Sequence, residues 1–371
     1  MADDVRVRKE ETCLPEDVEQ DTEKGSRQNK GYKSKEDPFG DESKSEVKYK
    51  TMAWWQAGMI MVAETISLGI LSLPSVLAAL GIVPGVILIA GLGIVATYTG
   101  YVLGQFKLTY PHVHNMADAG EILLGPVGRE IFGAAQMLFL VFVMGSHVLT
   151  FSIMLNVLSN HGTCSIVFGF IGLLVSLICC LPRTLLKVSY LSIVSWISIL
   201  AAVIIAIVGV GIEKPDAHVQ ATVHKTFPKA FLAVTNISFA YAGHATFFSF
   251  ISELKDPRTY PKALLLLQGI DTSMYITVAV VIYRYAGTNV TSPALGSTTP
   301  LLQKVAYGIA IPTIVISGVI NGHVAAKYVL EADKHRLQCG LGLYASGKAI
   351  HEDSTSANGS FSCADNGKSG S

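Results

Sequence analysis

The sequence predicts an all-α polytopic membrane protein with about eight transmembrane helices, and three observations carry that expectation. Half of the 371 residues are hydrophobic while 15% are charged. The apolar residues gather into runs close to the roughly 20 residues that a helix needs to cross a bilayer. These runs lie near 54–79, 83–106, 131–158, 166–181, 188–212, 230–251, 263–286 and 303–326. Two of them, the first and the sixth, are interrupted by polar and helix-breaking residues that a lipid-facing helix rarely carries. A transmembrane β-barrel would show short alternating strands instead.

The charges divide the chain into three parts. Residues 1–50 mix Lys, Arg, Glu, Asp, Ser and Gly with few aliphatic residues, too few to offset chain entropy by burial, so a disordered cytoplasmic tail is expected. Its lysines are candidate acceptors for a ubiquitin ligase, although solvated charge is the plainer reading. Residues 51–330 form the transmembrane domain, and 331–371 read as a polar C-terminal tail. A cleavable signal peptide is not expected before the first run, because Met1 to Lys50 is long and polar. The formal net charge is zero, with no basic stripe that would favour nucleic acid. The six cysteines, Cys13, Cys164, Cys179, Cys180, Cys339 and Cys363, lack metal-ligand spacing, so no metal or cofactor is expected.

Orientation follows from the loops. With a cytoplasmic N-terminus, the inner loops hold Lys107 and Arg129, then Arg183 and Lys187, then Lys255, Arg258 and Lys262, then Lys327, Lys334 and Arg336. The outer connections at 80–82, 159–165 and 287–302 hold no Lys or Arg, and only 213–229 runs against the rule. Asn289-Val-Thr291, an N-glycosylation pattern, falls in an outer loop. In the inner loop from Lys107 to Glu130, Met116, Ala119, Ile122 and Leu123 recur at helical spacing before Gly125-Pro126, which predicts an interfacial helix.

Within the spans, the third holds Gly145-Ser-His147. The fifth holds Ser189, Ser192, Ser195 and Ser198 at intervals of three, a pattern that packs helices. The seventh carries Asp271 inside an apolar run, and the eighth has Pro312 near its centre with Ser317 and Asn321 after it.

The interrupted runs hold the candidate site. Span one contains Glu64-Thr-Ile-Ser-Leu-Gly-Ile-Leu-Ser-Leu-Pro74, and span six contains Asn236-Ile-Ser-Phe-Ala-Tyr-Ala-Gly-His244 through to Glu253. Open backbone at membrane depth is tolerated only where protein or a water-filled cavity satisfies it, and paired broken segments mark a transporter's binding site. An ionised carboxylate there costs several kcal/mol, so Glu64 should be neutral part of the time. Glu64 lies only ten residues from Trp54, which leaves a solvated position near the cytoplasmic interface as the bland alternative.

Ser67-Leu-Gly-Ile-Leu-Ser-Leu-Pro74, together with Phe239-Ala-Tyr-Ala-Gly-His244 and Glu253-Leu-Lys-Asp-Pro257, resembles the amino acid/auxin permease family, and within it the fungal neutral amino acid permeases. The resemblance runs from about Trp54 to Tyr328. It implies a LeuT-type fold of two inverted five-helix repeats, here a first repeat over 54–212 and a partial second one over 230–328. Family members commonly have ten or eleven spans. Cys339-Gly-Leu-Gly-Leu-Tyr-Ala-Ser-Gly-Lys348 resembles the end of full-length fungal members, as if a block after Leu330 had been removed.

The resemblance implies proton-coupled uptake of neutral aliphatic or aromatic amino acids across the plasma membrane by alternating access. Ser67, Leu68, Gly69 and Ile70 in span one, with Phe239, Tyr241, Ala242, Gly243 and His244 in span six, are the expected substrate-binding residues. Backbone N–H groups freed by a helix restart near Gly69 would take the substrate carboxylate, and carbonyls freed near Gly243 its ammonium. The family's sodium-coupled branch has an Asn six residues before the glycine matching Gly69, where this chain has Ala63, so protons are the expected partner. Glu64 is the first candidate to carry the proton and Asp271 the second. Catalysis has no motif to stand on: there is no His-Glu-x-x-His and no Gly-x-Ser-x-Gly. The rival is a shortened, non-transporting membrane protein or an amino-acid-sensing subunit.

Overall fold

A computed structural model describes the backbone of residues 50–180, 185–213 and 218–352, and side chains within these ranges other than 185–187, 213, 289 and 331–352. The expected disordered tail at 1–49 and the end of the polar tail at 353–371 lie outside the described residues, as does the Asn289 side chain.

Among the described residues all regular structure is helical, apart from one isolated parallel bridge between Met52 and Leu254. The helices are α1 (Trp54–Leu80), α2 (Ile82–Thr109), α3 (Met116–Ser159), α4 (Ser165–Cys179), α5 (Leu185–Glu213), α6 (Phe227–Ala240), α7 (His244–Ser252), α8 (Tyr260–Ala286) and α9 (Pro300–Glu352). Six of them, α1, α2, α3, α5, α8 and α9, are long and apolar enough to cross a bilayer. The other two expected spans take different forms. Span four is a helix of only 15 residues, and span six is divided into α6 and α7. The helix of α9 continues through the residues expected to begin the polar tail, as far as Glu352.

Helix α1 is the central rod. Most of its residues are buried, and α8, α5, α6 and α9 surround it. A helix that is apolar on all sides is stable only when covered on all sides. Its neighbours present large apolar side chains outward, among them Ile87 and Ile94 on α2, Phe142 and Leu149 on α3, and Ile197 and Ile204 on α5, as a lipid-facing surface requires. The serine row of α5 faces α9: Ser198 donates to the Ile309 carbonyl, and Thr313 donates back to the Ser195 carbonyl.

Both ends of α1 are tied down. At its start, Met52 N–H donates to the Glu253 carbonyl at 3.1 Å and the Met52 carbonyl accepts from Lys255 N–H at 2.9 Å. Beside that clip, Lys327 Nζ of α9 lies 2.6 Å from Glu253 Oε1. At its end, Val223 N–H donates to the Leu80 carbonyl, and Ile82 and Val83 N–H groups donate to the carbonyls of Gln220 and Ala221.

The expected interfacial helix is the first arm of α3. Asn115 caps it, accepting from Asp118 N–H at 2.9 Å, while the Asp118 carboxylate accepts from His114 N–H. Gly125, at φ +69°, then turns the chain into the membrane-crossing arm just before Pro126. Across that kink Arg129 pairs with Glu121 and Asp118.

Candidate functional site

The interruption in the sixth span is a true break. Helix α6 ends at Ala240 and α7 begins at His244, with Tyr241, Ala242 and Gly243 between them. Carbonyls at the end of α6 are thereby freed, and one of them, Ala240 O, accepts the Tyr275 hydroxyl of α8 at 2.9 Å.

The first span behaves otherwise. Helix α1 is continuous from Trp54 to Leu80, and the restart expected near Gly69 is not there. Gly69 serves close packing instead: a Cβ at that position would stand 2.9 Å from both Cα and Cβ of Ala240 and 3.0 Å from the Tyr275 hydroxyl. The residue that reads as a breaker in the sequence is what lets the intact helix press against the end of α6. Pro74 is accommodated inside the helix, where the nearby Ser72 and Ser75 hydroxyls donate to the carbonyls of Gly69 and Ser72.

Between α1, the break and α3 lies a small cavity of about 30 Å³, room for one water molecule. Glu64, Thr65, Ser67, Leu68 and Gly69 line it from α1, Phe139, Val143 and His147 from α3, and Phe239, Ala240, Ala242 and Gly243 from the break. A larger cavity of about 340 Å³ adjoins it, walled by Leu92, Val95, Ala96 and Thr99 of α2, by Ser238, Tyr241, His244 and Ala245, and by Phe139 and Ala242, which line both. That volume is within the usual range for small-molecule pockets.

The polar groups around the small cavity form a linked set. Glu64 is 8% exposed; its Oε2 accepts from Thr246 of α7 at 3.2 Å, and the backbone carbonyls of Ala63 and Glu64 accept from Ser317 of α9 at 2.6 and 3.0 Å. Ser67 Oγ lies 3.1 Å from His147 Nε2, and His147 Nδ1 lies 2.8 Å from the Val143 carbonyl. A carbonyl only accepts, so Nδ1 carries the proton and Nε2 accepts from the serine. Thr65 Oγ lies 2.6 Å from Asp271 Oδ2 of α8, and the Tyr275 hydroxyl bridges the Thr65 and Ala240 carbonyls at 3.0 and 2.9 Å. Gly243 has φ −85°, so the absent side chain matters there rather than the dihedral: a Cβ would meet Thr65 Cγ2 at 2.9 Å and Glu64 Oε2 at 3.1 Å.

Of the residues expected at the site, Glu64, Ser67, Leu68, Gly69, Phe239, Ala242 and Gly243 line the small cavity, while Tyr241 and His244 line the larger one with Ala242. Tyr241 turns its hydroxyl to the Ile89 carbonyl and Thr272, and His244 Nε2 meets Thr99 Oγ and the Ala96 carbonyl, so both fasten the break to its neighbours. Ile70 lines neither cavity and is fully buried in the apolar core, because in an unbroken helix it points about 100° away from Gly69. Asp271 also lines neither; it is buried behind α1 and reaches the site through Thr65. Thr65, Phe139, Val143, His147 and Thr246 complete the site without having been singled out for it. His147 carried a signal, an imidazole inside an apolar span.

Comparison with known proteins points in one direction. Residues 50–354 match a family model described as transmembrane amino acid transporter protein. The chain is 38% identical to the N amino acid transport system protein of Neurospora crassa, over 77% of this chain and 63% of that one. It is 33% identical to a transmembrane transporter of Fusarium pseudograminearum, over 78% of this chain and 64% of that one. A third relative, amino acid transporter AVT1D of Arabidopsis thaliana, is 26% identical over 61% of this chain and 42% of its own length. The chain thus spans less than two thirds of the length of these curated relatives.

Proposed function

Because this chain belongs to the transmembrane amino acid transporter family, we propose that it is a secondary active transporter that takes up neutral aliphatic and aromatic amino acids together with protons. It works by alternating access in the plasma membrane, with its N-terminus in the cytoplasm and the inverted-repeat core that the resemblance implies. Lysines of the N-terminal tail serve as acceptors for a ubiquitin ligase. Asn289 is the glycosylation acceptor.

The observation that supports this reading best is the pair of adjoining cavities at the break: the larger has the volume that an amino acid needs, and the smaller brings a carboxylate, freed backbone groups and apolar side chains to its edge. An amino acid brings one ammonium and one carboxylate. Glu64 and the carbonyls at the end of α6 suit the ammonium. With α1 unbroken, the carboxylate falls to the N–H groups at the start of α7, joined by the Ser67 hydroxyl when it turns from His147 Nε2. The remaining lining, Leu68, Phe139, Val143 and Phe239, is apolar, and neither cavity is lined by Lys or Arg that would hold an acidic substrate side chain. Glu64 and Asp271 are the two buried carboxylates that are candidates to carry the coupled proton.

Uptake of radiolabelled amino acids in a permease-deficient yeast, with and without a protonophore, tests the proposal. Concentrative uptake that the protonophore abolishes is expected, with leucine and phenylalanine competing better than glutamate or lysine. Surface expression without uptake overturns it. That outcome, combined with measurable amino acid binding, supports the second reading, a sensing subunit or shortened non-transporting form.

A further inference from the structure

Two buried carboxylates, Glu64 on α1 and Asp271 on α8, differ in their access to the cavities in a way that divides the work between them. We propose that Asp271 carries the coupled proton and reports its state to α1 through Thr65, leaving Glu64 to meet the substrate ammonium. This rests on the proton-coupled reading above.

The Thr65 hydroxyl has one proton and two close acceptors, the Met61 carbonyl at 2.9 Å and Asp271 Oδ2 at 2.6 Å, with the Val62 carbonyl more distant at 3.5 Å. Both contacts are hydrogen bonds at once only when Asp271 is the carboxylic acid, donating to Thr65 Oγ while Thr65 donates to Met61. The other oxygen, Asp271 Oδ1, is buried with no hydrogen-bond partner among the described residues, and the residue has no exposure at all. An anion there would keep one bare oxygen away from water, an arrangement that proteins avoid. The closed arrangement therefore selects the protonated acid. When the proton leaves, Thr65 must turn its only hydrogen from Met61 to Oδ2, and Oδ1 is satisfied only if water reaches it. Deprotonation thus favours an arrangement in which α1 and α8 admit water. The proton enters from water on one side and leaves to water on the other; no covalent bond besides the acid O–H is made or broken.

The titratable groups bearing on Asp271 are Glu64 of α1, Tyr241 in the break and Tyr275 one turn along its own helix. Of the other elements packed on α8, α2 has a single charged residue, Lys107, whose ammonium donates to the carbonyls of Pro111 and Val113, α5 has none between Val188 and Ile212, and the turn Pro257–Thr259 has Arg258, beside the start of α8; on α8 itself Lys262 and Arg284 lie more than two turns from Asp271. No cation from these elements therefore holds Asp271 ionised. Glu64 shares a hydroxyl in a similar way, with Thr246 Oγ 3.2 Å from its Oε2 and 2.7 Å from the Gly243 carbonyl, but it differs in access. It lines the cavity itself, and its Oε2 lies beside the space left open by the missing side chain of Gly243. A charged ligand in the larger cavity reaches Glu64 once the small cavity that adjoins it widens, whereas α1 separates Asp271 from both.

The test uses the purified full chain in liposomes. Asp271→Asn should bind and exchange substrate but lose accumulation driven by a proton gradient, with binding no longer dependent on pH. Glu64→Gln should weaken apparent affinity about tenfold or more while the residual uptake stays proton-driven. Thr65→Val should move the alkaline limb of the uptake profile to higher pH by about one unit, because a charged acceptor loses more than a neutral donor does, and Thr65→Ser should restore it. Protonophore-sensitive accumulation in Asp271→Asn overturns the assignment. So does a Glu64→Gln variant that keeps its affinity but loses coupling. If Asp271→Asn does not fold, the Thr65 pair decides: an unshifted limb in Thr65→Val overturns the proposal. A wild-type chain whose accumulation ignores the proton gradient instead overturns the parent reading.

Discussion

A methyl group added at Gly69 would stand 2.9 Å from both Cα and Cβ of Ala240, and Ala240 belongs to the end of a helix whose last carbonyl is already in use by Tyr275. Neither partner is a flexible side-chain tip that can swing away. Gly69→Ala is therefore expected to destabilise the fold by about 1–3 kcal/mol and to reduce uptake, read from thermal unfolding in detergent and from transport. Gly91→Ala is the control: nothing lies within 4 Å of its Cβ position, and the gain in helix propensity makes it neutral or stabilising by up to about 1 kcal/mol. Glu64 and Gly243 were legible in the sequence because a charge and a breaker in an apolar run are chemically out of place. Thr65 was not. A threonine whose hydroxyl reaches the carbonyl four residues back is ordinary in a helix, and only the fold brings Asp271, 206 residues later, to its other side. Thr246 was hidden for the same reason, since its hydroxyl also reaches the Gly243 carbonyl at the start of its own helix.

Helices posed a different difficulty. Glycine and proline in span one read as a break, yet local propensity is a weak prior where packing covers a helix on every side, and α1 stays intact. The glycine of span six does coincide with a break, because Tyr275 and the loop back to Tyr241 satisfy the groups that it frees. At the far end of α7, Glu253 is 1% exposed and meets Lys327 of α9. Lys327→Ala removes that ammonium from a buried carboxylate, so a loss of about 3 kcal/mol in stability is expected. Glu253→Gln combined with Lys327→Met should recover much of it, and a thermal-shift series on the wild type and these two variants checks this. A full loss in the double variant would show that the pair is needed for its geometry rather than for its charge balance.

For the molecule as a whole, the membrane class and most of the spans were legible because a run of about 20 consecutive apolar residues matches the thickness of a bilayer and exceeds what a soluble core helix needs to bury. The pairing of helices was not, since lipid-facing and core-facing residues are equally apolar, and outward Ile87 and buried Ile89 are the same residue type two positions apart. The unbroken α1 has a mechanical consequence. Twenty-seven residues at about 1.5 Å each make a rod of about 40 Å. Its close approach to Ala240, at Gly69, lies near the middle, and a tie holds each end. A rigid bar resting on a central fulcrum swings its ends in opposite directions. Spin labels on Lys50 and Lys255 at one end, and on Val83 and Ala221 at the other, are expected to show one pair separating as the other closes when substrate and pH are varied. Both pairs separating together would rule the lever out. Under such a lever, exclusion of simultaneous opening needs no signal relayed between two gates, because the two gates are opposite ends of one bar.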